Sequence, residues 1–249
     1  MPLQPMHKIW AILPAAGIGK RMKSDIPKQY LLLEDRPVLE HTIDRLLKND
    51  LISGLVIALQ EDDPYWHTVN IDSDKPVLRA TGGDERSDSV LNAIELLTQH
   101  EKFEESDWVM VHDAVRPCLQ QRDIESLVQV VGDNQHGGIL ALPVRDTIKK
   151  QSETDPASNQ PPVIDTTVER DMLWHALTPQ YFSALSLKSA LQQSRDNKQC
   201  ITDDASAMEN AGFSPLLVHG HEDNIKITHP DDLRLAALYL YSQQKIDEQ

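Results

Sequence analysis

Lys20, Arg21 and Lys28 crowd a short run of small residues near the amino end of the chain, Pro14-Ala15-Ala16-Gly17-Ile18-Gly19. Gly17 and Gly19 lift the Cβ barrier to unusual φ/ψ, so the backbone there can approach a ligand closely while three cations gather around it. That combination suits a polyphosphate. It matches neither common fingerprint, lacking the third glycine of the dinucleotide turn and the Gly-Lys-Ser/Thr ending of a P-loop. Farther on, Gly82-Gly83-Asp84-Glu85-Arg86-Ser87-Asp88-Ser89 offers backbone groups and short side chains suited to reading the edge of a base, with Asp84 or Ser89 discriminating. The plainer alternative is a glycine turn whose Ser87 or Asp88 caps the following helix. His112-Asp113-Ala114-Val115-Arg116-Pro117 supplies a carboxylate, Asp113, able to hold Mg²⁺ against a triphosphate, because Mg²⁺ takes one or two carboxylates plus phosphate oxygens. Its alternative is a loop ion pair with Arg116, worth little if exposed. Thr202 before Asp203 and Asp204 is either an N-cap or part of an anion site at a helix start. Asp223-Asn224-Ile225-Lys226 offers a carboxylate and an ammonium, or a solvated loop. His219 and His221 have no further ligand cluster beside them, and no zinc is assigned there.

The elements that must carry these segments are strands followed by loops. Apolar runs at residues 9–13, 55–59, 77–80, 108–111, 139–144 and 216–219 read as strands. Helical faces fall between them: Val38, Ile43, Leu46 and Leu47; Val90, Ile94 and Leu97; Ile124, Leu127, Val128 and Val131; Leu185, Leu187 and Leu191. A helix over residues 203–210 ends at Gly212. The closing helix has Pro230, Asp231 and Asp232 in its first turn and buries Leu233, Ala236, Ala237 and Leu240. This alternation predicts an α/β protein: a single Rossmann-like domain over residues 1–249, with a mostly parallel twisted sheet flanked by helices and ligands bound at the strand carboxyl ends. Residues 145–174 leave the alternation and read as an inserted arm. Within it, residues 149–162 are polar and hold Pro156, Pro161 and Pro162, which predicts an exposed, mobile loop.

A chain of 249 residues, 40% hydrophobic and 25% charged, can bury a proper core without staples. Its net charge of −15 excludes nonspecific binding to nucleic acid or an anionic membrane, so any phosphate-binding cations must be gathered locally. Cys118 and Cys200 form no spaced pattern and read as reduced thiols of a cytoplasmic protein. Residues 9–13 are too short a run for a secretory signal, and no stretch approaches the roughly 20 apolar residues of a membrane span.

Taken in order, the motifs resemble those of the 2-C-methyl-D-erythritol 4-phosphate cytidylyltransferase family, within the sugar-nucleotide-type nucleotidyltransferases. The set comprises Pro14-Ala15-Ala16-Gly17 through Arg21-Met22, Pro27-Lys28-Gln29-Tyr30, Gly82 to Ser89 and His112 to Pro117. It continues through Pro143-Val144-Arg145-Asp146-Thr147, Trp174-His175-Ala176-Leu177-Thr178-Pro179-Gln180, Thr202-Asp203 and Asp223-Asn224-Ile225-Lys226. The resemblance implies condensation of CTP with 2-C-methyl-D-erythritol 4-phosphate to 4-CDP-2-C-methyl-D-erythritol and pyrophosphate, a step of non-mevalonate isoprenoid biosynthesis. A substrate phosphate oxygen would attack the α-phosphorus of CTP in line, with no covalent enzyme intermediate. By the same resemblance, Arg21, Lys28, Arg170 and Lys226 form the catalytic set. Lys20, Gly17 and Gly19 hold the triphosphate; Ala15, Ala16, Gly83, Asp84 and Ser89 select cytosine, with Ala114 completing the nucleotide site; Mg²⁺ sits near Asp113. Arg116, Thr178, Thr202 and Lys226 are implied contacts to the methylerythritol phosphate, joined by Thr147 and Arg170 from a partner's arm, which makes a homodimer part of the site. Two positions depart from the pattern: Lys20, where many relatives carry a second arginine, and Val115, where alanine is common. The rival readings are a nucleotidyltransferase using UTP or GTP with another phosphorylated polyol or sugar, and a nucleotide-binding regulatory module without chemistry.

Overall fold

The structure, a computed structural model, describes residues 5, 7–17, 26–153 and 161–247. In chain order the strands are β1 (Ile9–Pro14), the short pair β2 (Leu32–Leu33) and β3 (Arg36–Pro37), β4 (Ile52–Leu59), β5 (Val77–Thr81), β6 (Trp108–Val111), β7 (Gly138–Pro143), β8 (Ile148–Gln151), β9 (Ile164–Val168), β10 (Trp174–Ser183) and β11 (Leu216–His219). The helices are α1 (Val38–Leu47), α2 (Arg86–Leu97), α3 (Gln121–Val131), α4 (Ala184–Asp196), α5 (Asp204–Asn210) and α6 (Pro230–Asp247). Among the described residues no helix is long and apolar enough to cross a membrane.

Seven strands form the central sheet in the order β11-β7-β10-β6-β1-β4-β5. β1 lies parallel to β4 and β6, β4 to β5, and β7 to β11, so the mostly parallel α/β sheet expected from the alternation is present. Successive side chains of a strand point to opposite faces, and β1 is apolar on both. Ile9, Ala11 and Leu13 join Leu39, Ile43 and Leu46 of α1 and Ile124 and Leu127 of α3 in one buried layer. Trp10 and Ile12 join Val90, Ile94 and Leu97 of α2, Leu187 and Leu191 of α4 and Met208 of α5 in the other. A smaller cluster packs Ala236 and Leu240 of α6 against Val115, Cys118 and Ile227, beneath the loops after β6 and β11.

Three local readings change. Residues 174–183, whose first residue reads as the end of the arm, form a ten-residue strand antiparallel to β6 and β7 near the middle of the sheet. Pro179 hides it, since proline interrupts a ladder; a register shift between Ala176 and Gln180 accommodates that proline. The helix caps also move. Glu85 is the N-cap of α2, its N–H donating to Asp88 Oδ2 at 3.1 Å, and Asp203 rather than Thr202 caps α5 by accepting the Ser206 N–H at 3.0 Å. Finally, part of the expected mobile loop is ordered as a hairpin, in which β8 pairs antiparallel with β9 and Ser152 N–H donates to Val163 O at 3.1 Å. Residues 154–160 of that stretch lie outside the described residues.

Candidate active site

The loop after β1 is tied at both ends. Ala15 N–H donates to Ala58 O at 2.8 Å, and the buried Gln29 amide donates to Ala15 O at 2.7 Å and Gly17 O at 3.2 Å. Gln29 belongs to a 3₁₀ turn over Lys28–Tyr30, so the same bonds that fix the loop also seat Lys28, whose Nζ donates to Ile227 O at 3.4 Å. Tyr30 anchors the turn's far side through a 2.8 Å bond from its hydroxyl to Asp63.

The loop after β5 comes to meet it. Gly82 N–H donates to Leu59 O at 2.7 Å, and a Cβ on Gly82 would fall 2.2 Å from Ala16 Cβ, so only glycine lets the two loops touch. Gly83 N–H donates to Ser89 Oγ at 3.0 Å, while that hydroxyl donates to Glu85 O at 3.2 Å. Ser89 therefore holds the shape of its own loop.

Between these loops lies a cavity of about 200 Å³, lined by residues 14–17, by Lys28 and Gln29, by Gly83, Asp84, Glu85, Arg86 and Ser89, by residues 113–115 and by Lys226. Asp113 at the β6 exit is only 7% exposed. Its Oδ1 lies 3.3 Å from Arg86 Nε, and its Oδ2 lies 3.2 Å from Arg116 Nε and 2.9 Å from Lys226 Nζ. Burial alone would push its carboxyl up, but the charges of Arg86, Lys226 and Arg116 outweigh that and hold it well below the usual carboxylate range. The exposed ion pair considered for Asp113 and Arg116 is thus a buried one, with the desolvation cost and the sensitivity to losing a partner that burial brings.

His112, fully buried behind Asp113, completes the floor. Thr178 Oγ1 accepts the Asp113 N–H at 3.0 Å, so its own hydroxyl proton donates to His112 Nδ1 at 3.0 Å, leaving Nε2–H to donate to Arg116 O at 3.1 Å. Burial pushes the imidazole down to about 4 and keeps it neutral. Asn224 closes the ring, donating to Thr178 O at 2.7 Å and accepting from Arg116 Nη1 at 2.7 Å.

The chain matches the family model described as 2-C-methyl-D-erythritol 4-phosphate cytidylyltransferase over residues 9–242. It belongs to that family. It is 48% identical to a 2-C-methyl-D-erythritol 4-phosphate cytidylyltransferase of Aliivibrio fischeri (strain MJ11), covering 98% of this chain and 99% of that one. A protein of the same name from Alteromonas mediterranea is 48% identical over 97% of this chain and 96% of its own. Among solved structures, the Francisella tularensis 2-C-methyl-D-erythritol 4-phosphate cytidylyltransferase superposes with a TM-score of 0.76 at 32% identity, covering 93% of this chain and 99% of that one.

Set against the residues that the cytidylyltransferase motifs single out, the structure brings Ala15, Ala16, Gly17, Lys28, Gly83, Asp84, Ser89, Asp113, Ala114 and Lys226 around one cavity. Arg116 and Thr178 stand directly behind that lining, buried and bonded to Asp113. Thr202 is exposed at the start of α5, where its N–H donates to Ser206 Oγ at 3.0 Å. Thr147 and Arg170 are exposed in the arm, away from the cavity lining of their own chain, and the Arg170 guanidinium donates to Arg145 O. Gly19, Lys20 and Arg21 lie outside the described residues. Arg86, Gln29 and Asn224 were not singled out. All three sit inside the motifs named above, but their bonding partners are distant in sequence or are backbone carbonyls.

The residues present fit a divalent cation. Oδ1 of Asp113 makes a single long contact, its carboxyl is ionised at the cavity wall, and Mg²⁺ bound beside a nucleotide needs one or two carboxylates with phosphate and water supplying the rest.

Proposed function

We propose that this chain joins CTP to 2-C-methyl-D-erythritol 4-phosphate, releasing pyrophosphate and forming 4-CDP-2-C-methyl-D-erythritol, in the non-mevalonate route to isoprenoids. One observation carries the reading: in a member of this family, the base-reading loop, Lys28, Lys226 and the ionised Asp113 line one cavity at the strand carboxyl ends. An oxygen of the acceptor phosphate attacks the α-phosphorus of CTP in line. The new P–O bond forms as the bond to the β-phosphate's bridging oxygen breaks, and pyrophosphate leaves with that electron pair. No side chain need bond to phosphorus, so the protein's work is positioning and charge stabilisation.

Lys28, seated by the Gln29 bonds, supplies positive charge where the nonbridging oxygens gain negative charge, and the family motif gives Arg21 the same role. Lys226, 2.9 Å from Asp113, faces the acceptor phosphate. Asp113 would hold Mg²⁺, which would supply neutralisation of phosphate charge. Asp84 and Ser89 bracket the base, beside the close Gly82–Ala16 approach that brings the two loops together. A second copy supplies Thr147 and Arg170 across an interface made by the arm. The exposure of Met172, Leu173 and Trp174 at its base supports that reading, because exposed apolar patches mark association surfaces. The free thiols Cys118 and Cys200 accord with a cytoplasmic setting.

Pyrophosphate release measured with Mg²⁺, the acceptor and each nucleotide in turn tests the assignment. CTP should be the preferred donor. Turnover with UTP or GTP and none with CTP would overturn the base assignment, and CTP binding without any pyrophosphate release would point to a regulatory module.

A further inference from the structure

The family motifs assign Arg86 no task, yet it stands where three loops meet. It is the first residue of α2, immediately after the base-reading loop. Its Nε lies 3.3 Å from Asp113 Oδ1 at the β6 exit, and its Nη2 lies 2.8 Å from Asp204 Oδ2 in the first turn of α5. Asp204 is wholly buried, and burial raises its carboxyl while Arg86 opposes that rise. Neither oxygen of Asp204 has a hydrogen-bond partner among the described residues. Arg86 and Asp204 thus face each other as a buried ion pair. α5 is independently bolted to β10: Gln180 donates to Asp203 Oδ2 at 2.8 Å and accepts the Ala205 N–H at 2.8 Å. One guanidinium therefore ties the nucleotide side of the cavity to the sheet centre and to the segment that begins at Thr202.

We infer that Arg86 is a positioning residue that couples the two substrate sites. By spanning Asp113 and Asp204 it holds the base-reading loop at a fixed distance from the acceptor side, so CTP and the acceptor phosphate meet in attacking geometry. This rests on the function proposed above. A guanidinium suits the task because its rigid fork reaches two carboxylates at once, which a single ammonium does not. A buried ion pair such as Arg86–Asp204 offsets its attraction against desolvation, so a role limited to stability could be filled by an uncharged pair of similar size.

That difference provides the test. Arg86→Gln alone leaves Asp204 buried without its counter-charge and should lower both the melting temperature and kcat. Arg86→Gln with Asp204→Asn removes both charges, so the melting temperature should recover. Its kcat should stay down by about 10²-fold, the scale of an ångström-sized misplacement, with CTP affinity changed far less. Titration of the acceptor with and without CTP should show that the mutual strengthening of binding in the wild type is lost in the double variant. Arg86→Lys, which keeps the charge and loses the fork, should melt near the wild type yet turn over slowly. Wild-type kcat in either the double variant or Arg86→Lys would overturn the inference, as would a loss confined to CTP affinity. A wild type that turns over CTP normally beside a fully active double variant sinks only the coupling role; a wild type that never releases pyrophosphate sinks the functional reading itself.

Discussion

At the cavity floor, His112, Asp113, Arg116, Thr178 and Asn224 bond to one another in a buried ring, whereas the arm spreads Val163, Ile164 and Met172 into solvent at 61%, 65% and 87% exposure. The floor's charges are ordered before any ligand arrives, so binding there does not need to pay for reorganisation. The arm's hairpin is held by its own ladder, and its apolar side chains and Arg170 are exposed. One region is bonded within itself; the other exposes its apolar side chains to solvent.

The contrast is most easily broken at the cavity. Lys28→Ala should lower kcat by about 10²–10³-fold, the usual loss for one preorganised charge-stabilising donor, with a smaller change in CTP affinity. Single-turnover pyrophosphate release separates the two, and a variant impaired only in CTP affinity would remove Lys28 from the chemistry.

Next comes the floor's response to acid. His112 has its folded value lowered to about 4 from an ordinary 6.5, so its contribution is complete above 6.5 and is lost as pH falls from 6.5 towards 4. The sign follows from the neutral ring being the favoured folded form, and the loss amounts to about 3 kcal/mol over that window. Asp113, also lowered, gives up its share only below the ordinary 3.8. Denaturant unfolding at successive pH values should show the fall above pH 4, and His112→Gln should flatten it. A slope unchanged by that substitution would mean the ring is not the titrating group.

The arm supplies the smallest effect and the sharpest discrimination. Arg170→Ala should weaken apparent acceptor affinity by about tenfold or more, the worth of a hydrogen bond to a charged group, while the fold and CTP binding stay as they are. Mixing Arg170→Ala with Lys28→Ala should restore activity through hybrid sites that hold one intact set. If subunits demonstrably exchange and activity does not return, the two residues serve the same chain's cavity.

Much of the cavity was legible because each ligand-facing loop follows a strand, and apolar runs mark strands well: that logic puts Asp113 and Lys226 just after strands, and the family resemblance gives them their roles. What stayed hidden depends on partners far along the chain. Thr178 reads as a surface contact to an acceptor, but its hydroxyl is committed to His112 and Asp113, a pairing made only when β10 inserts beside β6. β10 itself was obscured by Pro179, and the arm's hairpin by side chains too polar to stand out from a loop. Arg86 looked like part of a turn motif until Asp204 arrived from α5, which packs on the same face of the sheet as α2.

β10 begins at Trp174, at the base of the arm, and reaches Thr178 under the cavity within a single strand. At strand rise that is a span of about 13 Å with no loop between. Trp174 and the Thr178 hydroxyl that seats the Asp113 amide therefore lie on one strand, joined through the start of its register shift.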